Sequence, residues 1–179
     1  GTLNANSTVG ALRGLETFAQ LVEYSDEGEA QLMELPIHVI DRPRWKYRGL
    51  KVDTSRHFIS IARLRAVIRG MEASKLNVLQ WHVVDGPSFP LESLKFPQLS
   101  AKGRFCSSCV YTQQDVRELI EFARVRGVRV IPELDIPGHS GFQFGMPELV
   151  ACPAFGAGNG GSRALDPTLD GTYAFLIEL

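Results

Sequence analysis

Apolar positions along this chain change rhythm from one segment to the next, and each rhythm predicts an element. Between Ala11 and Val22, the residues Leu12, Leu15, Ala19 and Val22 recur near helical spacing, which predicts one amphipathic helix. Glycine and acidic residues follow it. Leu35 to Ile40 is a short apolar, β-branched run that ends in Asp41-Arg42-Pro43-Arg44. That proline-containing junction predicts a domain boundary near residue 41, with residues 1–40 closing one small unit and residues 41–179 opening another. Beyond it, Tyr47 to Thr54 reads as a strand and Ser60 to Ser74 as a helix with Ile61, Leu64, Ile68 and Met71 on one side. Asn77 to Val84 reads as a second strand. Thr112 then opens a helix with Gln113, Gln114 and Asp115 in its first turn, as expected of an N-cap followed by groups that favour the positive end of the dipole. Val116, Leu119, Ile120 and Ala123 are its predicted buried face. Gly127 sits where that helix ends, and Val128 to Ile136 reads as a third strand, nearly continuous in apolar residues as strands buried on both faces are. A last helix begins near Pro167 and is still running at Leu179.

Strands alternating with helices imply an α/β fold with parallel strands, in either an open doubly wound sheet or a (β/α)₈ barrel. The polar residues favour the barrel. Arg56 and His57 follow the first strand, His82 and Asp85 end the second, and Glu133, Asp135 and His139 end the third, the carboxyl-end clustering expected of a barrel active site. An open nucleotide-binding sheet would want a glycine-rich turn after its first strand, and Asp53-Thr54-Ser55-Arg56-His57 has no glycine.

Composition narrows the function classes. With 179 residues and 44% hydrophobic composition, the chain has material for a core of ordinary size, in one domain or parts of two. Nineteen basic against twenty acidic residues, with no long run of like charge, argue against a nucleic-acid or membrane-surface partner. No stretch approaches a membrane span, and residues 1–20 lack the basic start and apolar run of a signal peptide, so the sequence reads as soluble and mature. Three cysteines are an odd number, so in an oxidising compartment at least one pairs with something else or stays free. For Cys106-Ser107-Ser108-Cys109, a local disulfide or two free thiols are plainer readings than a redox or metal site. Asn6-Ser7-Thr8 fits the glycosylation acceptor pattern, and Asn6 is the candidate residue.

Three motifs then carry a specific resemblance. Arg48-Gly49-Leu50-Lys51-Val52-Asp53-Thr54-Ser55-Arg56-His57, Lys75-Leu76-Asn77-Val78-Leu79-Gln80-Trp81-His82-Val83-Val84-Asp85 and Pro132-Glu133-Leu134-Asp135-Ile136-Pro137-Gly138-His139 resemble, in this order, the first three strands of glycoside hydrolase family 20. The animal-type lysosomal members look most similar, because Gly10 to Val22 also resembles the last helix of the small α/β domain that precedes their barrel. The resemblance implies a secreted or lysosomal β-N-acetylhexosaminidase, removing terminal β-linked N-acetylglucosamine or N-acetylgalactosamine with retention. It implies a substrate-assisted route in which the acetamido oxygen is the nucleophile. An Asp-Glu pair at the end of the fourth strand orients the acetamide and protonates the leaving oxygen in that family, and this sequence ends before such a strand. Asp26-Glu27 is the only such dipeptide present, and among Ser25, Gly28 and Glu29 it reads as a solvated turn.

What the resemblance carries onto this chain is a set of supporting residues. Arg56 matches the arginine that donates to sugar hydroxyls, with a structural ion pair to Asp53 as the plain alternative. Asp85 and His139 match the Asp and His behind the catalytic Glu, where they tune that acid and relay its proton. They are expected within about 2.6–3.2 Å of each other. Arg56 is expected to open on the same cavity, with its guanidinium in tight contact with no more than one carboxylate. Glu133, Asp135 and His82 are expected in supporting positions behind these groups, His82 being as well explained by burial as by substrate contact. Gly86 stands where the family often has a second Asp, which removes any contact that carboxylate would make. Cys152 resembles a family cysteine that bonds to a partner just beyond the Asp-Glu pair. No cofactor or metal is expected: His82, Asp85, Glu133, Asp135 and His139 include possible ligands, but the first strand lacks the His-x-His of metal-dependent barrel hydrolases. The expected partners are an N-acetylhexosamine-bearing glycan or glycolipid, a second copy in a dimer, and the remainder of the enzyme as a further segment. Residues 1–179 alone are expected neither to fold as a stable monomer nor to turn over substrate. An inactive fragment or sugar-binding module is the alternative.

Overall fold

The computed structural model describes residues 1–32, 35–152 and 164–179. The first helix, α1, spans Thr8–Ala19, and its N-cap is Ser7, whose Oγ accepts the Gly10 N–H at 3.0 Å. That bond satisfies one of the donors left open at a helix start. The helix therefore begins earlier than the apolar spacing predicts. It also ends earlier, because Val22 belongs to a strand: β1 (Val22–Tyr24) pairs antiparallel with β2 (Ala30–Leu32). Two three-residue strands, exposed at most positions, carry too little apolar alternation to be read from sequence. Asp26-Glu27 lies in the exposed turn between them, where Glu27 N donates to Ser25 Oγ and Gly28 adopts φ 83°.

Three strands form the central sheet in the order β3 (Gly49–Asp53), β4 (Val78–His82) and β5 (Arg129–Glu133), all parallel. Helix α2 (Ile61–Ala73) connects the first two, and α4 (Gln113–Arg124) precedes the third. Both helices match their sequence signals. Ser60 and Ser74 flank α2, and Thr112 with Asp115 closes a reciprocal capping box at the start of α4. Leu64, Ile68, Met71, Leu119 and Ala123 are buried and pack with Leu79 and Trp81 of β4. Ile120, expected on the buried face of α4, is exposed.

Alternation along the strands separates two faces of this sheet. Val52, Leu79, Trp81 and Val130 join the apolar core. Lys51, Asp53, Gln80, His82 and Glu133 make polar contacts on the alternate positions, and the register sets Asp53, His82 and Glu133 in one row. The expectation that the third strand is buried on both faces is corrected here. None of Arg129–Glu133 is fully buried, because β5 pairs only with β4 among the described residues and one of its faces is polar.

The long connection from β4 to α4 contains a short helix the pattern did not predict, α3 (Gln98–Gly103). Its Gly103 carbonyl accepts the Phe89 N–H at 2.7 Å. Phe89, Phe142, Phe175 and Phe96 then meet in sequence at tilted and edge-to-face angles, with ring centroids 5.6, 5.1 and 4.8 Å apart, and so pack the connections after β4 and β5 against the last helix, α5 (Asp170–Glu178). That helix starts after Pro167 because Asp166 Oδ1 accepts both the N–H and the hydroxyl of Thr168 in a turn ahead of it. Cys106 and Cys109 form a local disulfide, and Cys152 is a free, exposed thiol.

Candidate active site at the carboxyl ends of the strands

Three connections, leaving β3, β4 and β5, bring Arg56, Asp85 and His139 together. Asp85 is the hub. Its Oδ2 lies 2.7 Å from Arg56 Nη2 and 2.8 Å from His82 Nε2, and its Oδ1 accepts the Gly86 N–H at 2.5 Å and faces His139 Nδ1 at 3.1 Å. The Asp85–His139 distance falls inside the expected range. The Asp85 and His82 side chains are each only 2% exposed, whereas Arg56 and His139 are 46% and 64% exposed. A buried carboxylate thus sits beneath two groups that solvent or substrate can reach. Burial alone would push the Asp85 pKa up, but hydrogen bonds from His82, Gly86 and His139 and the Arg56 charge outweigh it and hold the pKa below the usual carboxylate value.

Arg56 departs from its expectation. Its guanidinium grips two carboxylates, Asp53 through Nη1 and Asp85 through Nη2. Two features combine: Asp53 Oδ1 accepts the Ser55 and Arg56 N–H groups at 2.9 and 3.1 Å, which turns the arginine back over Asp53, and the β3–β4 register brings Asp85 alongside. The planar fork of donors then bridges them. Its pKa rises chiefly through the Asp53 hydrogen bond, so it remains a cation.

Behind the hub lies a second layer. His82 Nδ1 faces Glu133 Oε1 at 2.6 Å, and the same oxygen meets Lys51 Nζ at 2.5 Å, while Gln80 Nε2 donates to Glu133 Oε2. The Lys51 hydrogen bond is the main cause that brings the Glu133 pKa down to about 2, against some opposing burial. Asp135 adds negative potential felt by both Lys51 and Arg56. His82, Glu133 and Asp135 bring ligand atoms within 4.8 Å of one another, close enough to hold a metal ion. A cation there would displace the Lys51 ammonium and compete for a His82 ring that already faces a carboxylate with each nitrogen.

Sequence reasoning missed how the connections are locked to each other. Ser55 Oγ donates to the Ser88 carbonyl at 2.8 Å and Ser88 Oγ donates to the Ser55 carbonyl at 2.7 Å, a reciprocal buried pair between the segments that carry Arg56 and Asp85. Trp81 Nε1 donates to Thr54 Oγ1 at 2.9 Å beside it. On the third connection Gly141 adopts φ 69°, and a Cβ there would lie 2.7 Å from the Asp85 carbonyl. His139 adopts φ 57°, uncommon for a residue with a side chain and frequent at functional sites. Lys51 and Gln80, behind the hub, did leave a sequence signal, the charged and polar positions alternating along otherwise apolar strands.

The sequence profile of "Glycosyl hydrolase family 20, catalytic domain" matches residues 45–179. The chain is 45% identical to the human β-hexosaminidase subunit beta over 177 residues, covering 97% of this chain and 31% of that relative. It is 44% identical to the bovine β-hexosaminidase subunit alpha, covering 93% of this chain and 32% of that one. It thus spans about a third of the length of the curated relatives it matches. Among solved structures, the family 20 exo-β-N-acetylglucosaminidase of Vibrio harveyi, in complex with N-acetylglucosamine, superposes with a TM-score of 0.78 at 26% identity, covering 97% of this chain and 30% of that one. With the catalytic-domain profile extending over three-quarters of its residues, the chain belongs to glycosyl hydrolase family 20.

Proposed function

We propose that this chain contributes the Arg56, Asp85 and His139 side of the active site of a β-N-acetylhexosaminidase. In this reading β3, β4 and β5 are the first three strands of a (β/α)₈ barrel formed from residues 41–179 onward, and residues 1–40 end the small α/β domain ahead of it. The enzyme removes terminal β-linked N-acetylglucosamine or N-acetylgalactosamine from glycoconjugates with retention, the substrate's acetamido oxygen acting as nucleophile. The Asp-Glu pair that orients the acetamide and protonates the leaving oxygen comes from chain beyond these residues.

The observation that carries the reading is the Asp85–His139 contact at the ends of adjacent parallel strands, with Arg56 on the same carboxylate. An ionised Asp85 holds the His139 ring by Nδ1, which favours one tautomer and orients the ring to exchange a proton with a neighbouring acid. Arg56, half exposed and always charged, is placed to donate to sugar hydroxyls. Glu133, Asp135 and His82 support the hub from behind. A lysosomal or secreted location and a dimeric enzyme go with the family reading, and the Cys106–Cys109 disulfide and the exposed Asn6 sequon suit an oxidising, glycosylating compartment. The pairing of Cys152 with a cysteine beyond the chain belongs to the same proposal.

The test is turnover of an aryl N-acetylglucosaminide by the full-length protein and its Asp85→Asn variant. A fall in kcat of about 10²-fold or more is expected from a group that sets up general acid catalysis. Wild-type kinetics in a folded Asp85→Asn protein would remove the assignment.

A further inference from the structure

We propose that His82 is a positioning residue for the Asp85–His139 pair, held in place by Glu133 and acting on the reaction only through Asp85. The proposal rests on the functional reading above and extends it one layer inward.

Among the described residues the Asp85 carboxylate has four partners, and they are not equivalent. Arg56 is shared with Asp53 and half exposed, and His139 is more exposed still. Gly86 is the next residue in the chain and moves with Asp85. His82 alone is a buried side chain fixed from behind: its Nε2 lies 2.8 Å from Asp85 Oδ2 while its Nδ1 lies 2.6 Å from Glu133 Oε1. Glu133 is anchored in turn by Lys51 and Gln80 in the next row of the sheet. The result is a line of polar contacts, Lys51 to Glu133 to His82 to Asp85, that crosses all three strands and ends under His139. Lys51 is half exposed at the outer end of this line, but its Glu133–His82–Asp85 part is set by the strand register, and it aims one edge of the Asp85 carboxylate at His139. When Arg56 turns to a sugar hydroxyl, His82 is the partner that keeps Oδ2 in place. A neutral imidazole offers one donor and one acceptor, whereas His82 sets both nitrogens against carboxylates, one of them the functional hub.

The experiment compares His82→Gln, Glu133→Gln and Asp85→Asn in the full-length protein, using aryl N-acetylglucosaminides with a good and a poor leaving group. If His82 acts through the acid-tuning pair, His82→Gln lowers kcat about tenfold or more on the poor leaving group and less on the good one, with KM within about twofold, because only the former needs full protonation. Glu133→Gln, which leaves His82 in place but loosens its anchor, shows the same ordering at smaller size. It decides the matter if His82→Gln does not fold. Equal losses on both substrates, or none, in folded variants while Asp85→Asn is crippled would overturn the role of His82. Wild-type kinetics in Asp85→Asn would instead overturn the underlying functional reading.

Discussion

Replacing Arg13 by Met should detach α1 from the sheet-and-helix body. No residue of α1 is fully buried, and Leu15 and Phe18 are more than half exposed, so apolar burial holds this helix weakly. Its broadest attachment is one guanidinium. Arg13 Nη1 donates to the Glu72 carbonyl at 2.6 Å, and Nη2 lies 3.1, 3.0 and 3.4 Å from the carbonyls of Leu76, Arg126 and Gly127. The Glu72 oxygen lies in the last turn of α2, and those of Leu76, Arg126 and Gly127 lie in the segments that leave α2 and α4. A second link is the trio of Thr17, Asp41 and Lys75, with Lys75 Nζ 2.7 Å from Asp41 Oδ2. Counting only the two shorter charge-assisted bonds, to Glu72 and Arg126, at the low end of about 1.5–3 kcal/mol each gives a loss of about 3 kcal/mol. For a chain of this size that corresponds to a fall in Tm of roughly 6–12 °C, if α1 unfolds with the rest. Hydrogen exchange separates the alternatives: amides of Thr8–Ala19 should exchange far faster in Arg13→Met than in wild type. Arg13→Lys should recover only part of the loss, because an ammonium on a flexible stem cannot spread over four carbonyls. A variant within about 0.5 kcal/mol of wild type, with unchanged exchange in α1, would show that the clamp is incidental.

Four further outcomes follow from particular contacts. Gly141→Ala should cost about 1–3 kcal/mol and lower activity, because the residue would be strained at φ 69° with its Cβ against the Asp85 carbonyl; thermal melting and turnover in parallel check it. Arg56→Lys should raise KM for an aryl N-acetylglucosaminide about tenfold, since one ammonium cannot bridge Asp53 and Asp85 and still donate to sugar; unchanged KM would place Arg56 outside the sugar site. Glu133 titrates near 2 in the fold against 4.5 for a free side chain, so the stability it gives is full above about pH 4.5 and drains away as pH falls toward 2; an acid titration of Lys51→Met should show a smaller loss over that window, and an identical curve would contradict the pairing. Cys106 and Cys109 should resist alkylation until a reductant is added, read by peptide mass mapping; labelling of both without reductant would rule out the disulfide in solution.

By itself the sequence determined the elements whose signals are local. Ser60 and Ser74 bracket α2, Thr112 and Asp115 close a capping box on α4, and Gly127 takes the positive φ of a helix end. Each is carried by residues at or next to a helix end, so no tertiary contact is needed to read it. The order of motifs also placed Arg56, Asp85 and His139 at the ends of successive strands. Tertiary structure decided the rest. The β1–β2 hairpin is too short and too exposed to leave a pattern, and the sheet turned out polar on one face where the third strand had read as apolar on both. Arg56 was expected to grip at most one carboxylate and grips two, because Asp85, twenty-nine positions later, arrives beside Asp53 only when β3 and β4 pair in register. The Lys51–Glu133–His82 line joins residues up to 82 positions apart for the same reason. Strand register converts distant sequence positions into neighbours a few ångströms apart, and no period within one strand specifies which row of the next it will face.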